Sequence, residues 1–379
     1  MAIKNCPFEN EGKMSSTVHV DGATYGEEEL IAGKFEASTD LARKVLPFCR
    51  AWLAGQETFE LRTSGSTGAP KSVTFHRAAM KASAALTQQA LQLRAGMHAL
   101  VCLDTDFVAG QMMLVRGLEV GMHVHVVAPS ANPFATISAK TPIDFVALVP
   151  YQLETILQSS ACAQLRDVAC TIIGGAPLEA ATAQKLAAFP GRFYATYGMT
   201  ETLTHIALRA LNGPRVGEAF RTLPTIQVST DERGCLIIRA PHLGDPVVTN
   251  DVARLINPNE FEWLGRLDLV INTGGIKIHP EMVERKLEPV FASQGVNNRF
   301  FIAAQPHPQL HQQVVLVVEG DATAVLTKIW SIAHPLLTKY EAPKLLLSVP
   351  HFAETASGKI DRINTLRAHA QTYVLTGQP

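Results

Sequence analysis

Between residues 98 and 196 the chain alternates short apolar runs with helical stretches, a pattern that few folds accept. The runs cover residues 98–103, 123–127, 144–149 and 168–173, and the stretches 110–120, 151–158 and 178–188 read as helices. A strand apolar at every position has no solvent face. A parallel sheet covered on both sides by crossover helices is the arrangement that buries it. In such sheets ligands bind beyond the C-terminal ends of the strands. Two turns are expected there: Gly174-Gly175-Ala176-Pro177 after Ile173, and Tyr197-Gly198-Met199 after Thr196. Residues 1–58 are polar and weakly patterned apart from a helical stretch at 41–53. After about residue 212 the runs become short and hairpin-like. From Asp268 a small α+β unit is expected, with helices at 280–287 and 322–332 and strands at 300–304, 313–318 and 344–349.

Ahead of the alternation lies Leu61-Arg-Thr-Ser-Gly-Ser-Thr-Gly-Ala-Pro-Lys-Ser-Val73. Its glycines let backbone come close to a ligand. Its hydroxyls and bare N–H groups can surround a phosphate, to which Lys71 adds a positive charge. The spacing departs from G-x-x-x-x-G-K-[ST], because Pro70 stands where the second glycine belongs. Taken alone, the stretch reads equally as a phosphate loop or a linker. A net charge of −1 with no long basic run argues against a nucleic-acid partner. No apolar run reaches the ~18 residues of a membrane span, and the N-terminus lacks the apolar core of a secretory signal. Cys6, Cys49, Cys102, Cys162, Cys170 and Cys235 are scattered with no Cys-x-x-Cys pair, and read as reduced thiols of a cytoplasmic enzyme. His123 and His125 share a strand face with no third ligand nearby.

Three further segments narrow the choice. They are Tyr197-Gly-Met-Thr-Glu-Thr202, then Gly265-Arg-Leu-Asp268 leading into Asn272-Thr-Gly-Gly-Ile-Lys-Ile-His-Pro-Glu-Met-Val-Glu284, and Thr355-Ala-Ser-Gly-Lys-Ile-Asp-Arg362. With the phosphate loop they follow the order and rough spacing of the adenylate-forming superfamily, which the chain resembles from about Phe59 to Arg362. That superfamily comprises acyl-CoA synthetases, nonribosomal adenylation domains and luciferases. The resemblance implies a two-step ligase. A carboxylate attacks the α-phosphate of Mg-ATP to give an acyl-adenylate and pyrophosphate, and a thiol then displaces AMP to give a thioester. The expected fold is α/β: a large N-terminal domain (1–267) with mostly parallel sheets covered by helices, and a small mobile α+β domain (268–379) that rotates about Asp268 between the steps.

The same resemblance implies roles for individual residues. Ser64, Gly65, Ser66, Thr67 and Gly68 would hold the β- and γ-phosphates, with Lys71 supporting the loop and Thr63 also counted among the ATP-binding residues. Gly174, Gly175, Ala176 and Pro177 would let backbone approach the base and the acyl chain. Tyr197, beside Gly198, would stack on adenine; Thr200 would contact the α-phosphate; Glu201 would carry Mg2+. Asp251 would bind the ribose hydroxyls, although Asn250 precedes it where the family more often has glycine. Arg266 would bind the ribose or the α-phosphate. Lys359 would bridge the two reactants in the first step, and Gly274, Gly275 and Lys277 would replace it in the second.

The short region before the phosphate loop resembles the short o-succinylbenzoate–CoA ligases of menaquinone biosynthesis. So do Phe107-Val-Ala-Gly-Gln-Met-Met-Leu-Val-Arg116, Thr204-His-Ile206 and Thr249-Asn-Asp251. Their acid has a second carboxylate that a cation or donors must recognise. Arg116, His205 and Arg209 are the candidates, with Phe107 lining the acyl pocket. ATP, Mg2+ and coenzyme A are the expected cofactor and cosubstrates, with a small carboxylic acid as partner; a homodimer is left open. The alternatives are a CoA ligase for another aromatic or short acid, an adenylation domain loading a carrier protein in trans, and a non-catalytic nucleotide-binding relative.

Overall fold

The structure, a computed structural model, describes residues 15–62, 72–321, 326–354, 360–368 and 374–375. The described chain opens with a hairpin of β1 (Thr17–Val20) and β2 (Ala23–Gly26), then helices α1 (Glu27–Ile31) and α2 (Asp40–Leu53). β3 (Thr58–Arg62) and β4 (Ser72–His76) form a separate ribbon with Arg62 opposite Ser72, and α3 (Arg77–Leu91) follows. The alternation then runs β5 (His98–Val101), α4 (Val108–Val120), β6 (His123–Val126), β7 (Phe145–Leu148), α5 (Pro150–Leu157), α6 (Cys162–Asp167), β8 (Cys170–Ile173), α7 (Ala180–Lys185) and β9 (Arg192–Gly198).

Six of these strands pair in parallel, in the order β9-β8-β7-β5-β6-β1. Every residue of β7 and β8 is buried, as continuous apolar strands require. Alternate residues enter two apolar clusters on opposite faces. Ala99, Val101, Phe145 and Ala147 join Trp52 of α2, Met80 of α3 and Met113 of α4. Leu100, Val146 and Leu148 join Leu153 of α5 and Leu165 of α6.

Beyond β9 the sheet continues antiparallel through β10 (His205–Ala210), β11 (Phe220–Thr222), β15 (Glu260–Arg266), β14 (Val247–Asn257), β13 (Cys235–Arg239) and β12 (Gln227–Thr230), giving 13 strands in all. This half was expected only as scattered hairpins. Its strands at 220–222 and 227–230 carry too little apolar patterning to announce themselves.

The β1–β2 hairpin was not anticipated either. β1 lies parallel to β6, with Thr17 opposite His123 and His19 opposite His125, while β5 on the other side sets His98 opposite His123. The two histidines read as lacking a third neighbour therefore stand in a group of four. His98 Nδ1 lies 2.9 Å from His125 Nε2, and the His19 and His125 rings stack at 4.4 Å. The Thr17 hydroxyl lies 2.8 Å from His123 Nδ1 and 3.0 Å from His19 Nε2. Among the described residues no group of three or more His, Cys, Asp or Glu side chains could hold a metal ion.

After Arg266 a 3-10 turn (Leu267–Leu269) containing Asp268 leads to a second sheet. It is built from β16 (Ile271–Thr273), β17 (Ile276–Ile278), β18 (Phe300–His307), β19 (His311–Glu319), β20 (Leu345–Val349) and β21 (Val374–Leu375). Helices α8 (Pro280–Ser293) and α9 (Leu326–Leu336) cover one face through Val283, Leu287, Phe291, Ile329 and Ala333. Leu366 of α10 (Arg362–Ala368) packs on the other, with Phe301, Val315 and Phe352. Helix α8 also meets the first sheet. Arg285 donates to the Trp263 carbonyl at 3.1 Å, and the Arg266 N–H donates to Glu281 at 3.2 Å. No helix among the described residues is long and apolar enough to cross a membrane.

Candidate active site

The sequence-predicted residues that converge do so at the C-terminal ends of β8 and β9. Residues 174–177 follow β8, and β9 ends at Tyr197-Gly198. Two glycines there answer to geometry. Gly175 has φ +88°, the left-handed region that side chains avoid. A Cβ on Gly198 would sit 2.5 Å from the His205 Cα, so β9 and β10 can approach this closely only around a glycine. Thr200 and Glu201 occupy a 3-10 turn (Thr200–Thr202), in which the Thr202 hydroxyl accepts from the Met199 N–H at 2.9 Å. Leu203, directly after it, is buried with φ +66° and ψ −54°. For a bulky residue this conformation costs roughly 1–3 kcal/mol, of the kind found at sites where geometry outranks comfort.

β14 and β15 bring Asp251 opposite Arg266. Asp251 is 8% exposed and accepts a 2.6 Å hydrogen bond from the Tyr197 hydroxyl. Burial first, and the neighbouring Asp251 second, push the Tyr197 phenol far above its ordinary pKa, so it is a fixed neutral donor. The Tyr197 ring is itself packed, 5.2 Å from Phe261 and 5.7 Å from Phe220. Arg266 Nε donates to Asp268 at 3.0 Å.

Arg116 of α4 is 3% exposed. Its Nη2 donates to the Thr204 hydroxyl at 2.8 Å, Nε is buried without a hydrogen-bond partner, and no carboxylate pairs with it among the described residues. Burial alone pulls its pKa down to about 10. His205 is buried beside it. Its Nε2 lies 3.2 Å from the Thr87 hydroxyl and its Nδ1 3.3 Å from that of Thr204. Burial, and then the Arg116 charge, hold its pKa well below the usual imidazole value.

Other expected residues lie apart. Arg209 sits at the far end of β10, opposite Ala195, and its charge is met by Glu218 at 3.1 Å. Gly274 and Gly275 form the tight turn between β16 and β17, with φ +58° and +84°; Gly274 packs near Leu310 and Tyr340, and Lys277 is exposed on β17. Phe107 is the N-cap residue of α4. Thr63 to Gly68, Lys71 and Lys359 lie outside the described residues, between β3 and β4 and between the bridged residues Glu354 and Ile360. His242 escaped the sequence reading. Its Nε2 lies 3.2 Å from the Thr202 carbonyl and burial lowers its pKa, but nothing around Pro241-His242 marked it in advance.

Residues 54–239 match the model of the AMP-binding enzyme family. An acyl-CoA synthetase (AMP-forming)/AMP-acid ligase II-like protein from Dyadobacter fermentans is 39% identical, over 89% of this chain and 97% of its own, with a TM-score of 0.62. The chain belongs to the AMP-binding enzyme family. Among curated relatives of this AMP-binding enzyme, the 2-succinylbenzoate–CoA ligase of Enterococcus faecalis is 24% identical over 83% of this chain and 70% of its own. The o-succinylbenzoate CoA synthetase of Bacillus subtilis, solved with its acyl-adenylate intermediate, is 18% identical with a TM-score of 0.68, over 84% of this chain and 70% of its own, and shares the fold.

Proposed function

We propose that this enzyme is an ATP-dependent acid–CoA ligase that activates o-succinylbenzoate as an acyl-adenylate and passes the acyl group to coenzyme A in the cytoplasm. The observation that carries the choice of acid is Arg116. A buried guanidinium without a counter-charge is costly, and a ligand carboxylate is the group that relieves it. An acid with one carboxylate at the reacting end and a second remote from it supplies that group, and relatives named 2-succinylbenzoate–CoA ligase support the choice.

In the first step a carboxylate oxygen attacks the α-phosphorus and pyrophosphate leaves. Two anions meet, so the site must offer donors and cations. Thr200 and Arg266 serve the α-phosphate in this reading, Asp251 accepts from the ribose hydroxyls, and residues 63–68, Lys71 and Lys359 complete the charge balance. Glu201 is exposed and forms no ion pair among the described residues. Such a carboxylate would hold Mg2+, a hard cation that prefers oxygen ligands, and the ion would neutralise triphosphate charge. In the second step the coenzyme A thiolate attacks the acyl carbonyl and AMP leaves. Residues 268–379 turn about Asp268 between steps, exchanging Lys359 for the 274–277 hairpin.

The test is pyrophosphate release from Mg-ATP across aromatic mono- and dicarboxylic acids, with and without coenzyme A. Release with o-succinylbenzoate and formation of its thioester are expected. Arg116→Gln should raise the KM for this acid at least tenfold, given the ~1.5–3 kcal/mol of a hydrogen bond to a charged group. Release with monocarboxylic acids alone would discard the acid. Adenylate without a CoA thioester would move the reading to carrier loading.

A further inference from the structure

Four groups around Arg116 form a chain of hydrogen bonds whose direction is fixed at both ends. A guanidinium can only donate and a carbonyl can only accept. At one end Arg116 Nη2 donates to Thr204 Oγ1 at 2.8 Å; at the other, Thr87 Oγ1 donates to the Ser83 carbonyl at 3.2 Å. A hydroxyl has one proton. Thr87 has given its proton to Ser83, so across the 3.2 Å contact with His205 Nε2 it must accept. Nε2 therefore carries the hydrogen and Nδ1 is bare. Nδ1 then takes the Thr204 proton across 3.3 Å, which leaves the Thr204 oxygen facing Arg116 as an acceptor. A neutral imidazole satisfies this chain in one tautomer only, and a second proton on His205 would set two cations side by side in a buried site.

We propose that Thr204, His205 and Thr87 are positioning residues, a one-way hydrogen-bond chain that fixes the Arg116 guanidinium and holds His205 neutral as the Nε2–H tautomer, so that Arg116 is the cation offered to the remote carboxylate of the acid. The proposal rests on the reading of Arg116 given above. It moves His205 from an expected substrate contact to a support, and adds Thr87 and Thr204, which lie on α3 and just ahead of β10.

Steady-state kinetics on Thr204→Val, Thr204→Ser and Arg116→Gln test it, with o-succinylbenzoate and a matched monocarboxylic acid as substrates. Thr204→Val should raise the KM for the diacid by roughly tenfold, leave the KM for ATP and for the monoacid unchanged, and be rescued by Thr204→Ser. Nitrogen-15 NMR of histidine-labelled wild-type protein, with the His205 signals assigned from His205→Asn, should show a neutral Nε2–H ring down to pH 5.5. An Nδ1–H tautomer, or an imidazolium at that pH, would overturn the chain. So would a diacid KM that responds to Arg116→Gln but not to Thr204→Val. If Arg116→Gln itself leaves the diacid KM unchanged, the parent reading falls and this role with it.

Discussion

The Tyr197 hydroxyl serves Asp251 from 54 residues away in sequence, and the pair invites a measurement free of the acid's identity. Tyr197→Phe keeps the ring packed on Phe220 and Phe261 but removes a donor from a buried carboxylate. The expected cost is about 1–3 kcal/mol, the penalty of an unsatisfied buried group. If Asp251 holds the ribose, the KM for ATP rises several-fold while that for the acid stays put; equal changes in both would remove Asp251 from the nucleotide site. Sequence alone could name both residues, because each sits in a motif. It could not show that they bond, since that depends on β14 and β15 reaching β9 through β10 and β11.

At the scale of elements, the four-histidine face of β1, β6 and β5 makes a pH prediction. Burial first, then His19, His98 and His123, lower the His125 pKa to about 4; His19 and His98 are lowered too, again with burial as the leading cause. Asp144 accepts from the His98 N–H at 2.7 Å and opposes the shift of His98. For bases with depressed folded values, the unfolded chain binds more protons between the two values. Their contribution is therefore intact above the unfolded value of about 6.5 and is lost as pH falls toward 4. Wild-type Tm should drop between pH 7 and 5, and His125→Gln should drop less, by on the order of 2 °C; parallel curves would refute this. The alternation at 98–196 was legible because runs such as β7 and β8, buried at every position, are almost wholly apolar, and glycine and proline punctuate the sequence between runs. The histidine group was not, because parallel pairing joins residues 19, 98 and 123 without a local mark. Arg116 was marked by its motif, but its burial and the absence of a paired carboxylate among the described residues show only in the folded chain.

Across the whole molecule the two sheets meet where α8 packs on α7 and β15. Burial raises the Glu288 carboxyl to about 7; the Ala180 N–H at the start of α7 works against the shift, and Glu179 and Glu284 add to it. An acid whose pKa is raised by packing favours the packed state while protonated. The contact therefore carries no penalty below about 4.5, weakens as pH rises, and bears the full penalty above about 7. Hydrogen exchange of α7 and α8 should quicken from pH 6 to pH 8 in the wild type after correction for intrinsic rates, and Glu288→Gln should abolish the difference. An unchanged difference in the variant would clear Glu288 of the role. The pairing of β1 with β6 has one more consequence, for the chain during its own synthesis. β1 leaves the ribosome 106 residues before the strand that Thr17 and His19 must join. At common elongation rates its hairpin waits roughly 5–20 s with an open edge. Sealing of this rim of the sheet is therefore timed by translation.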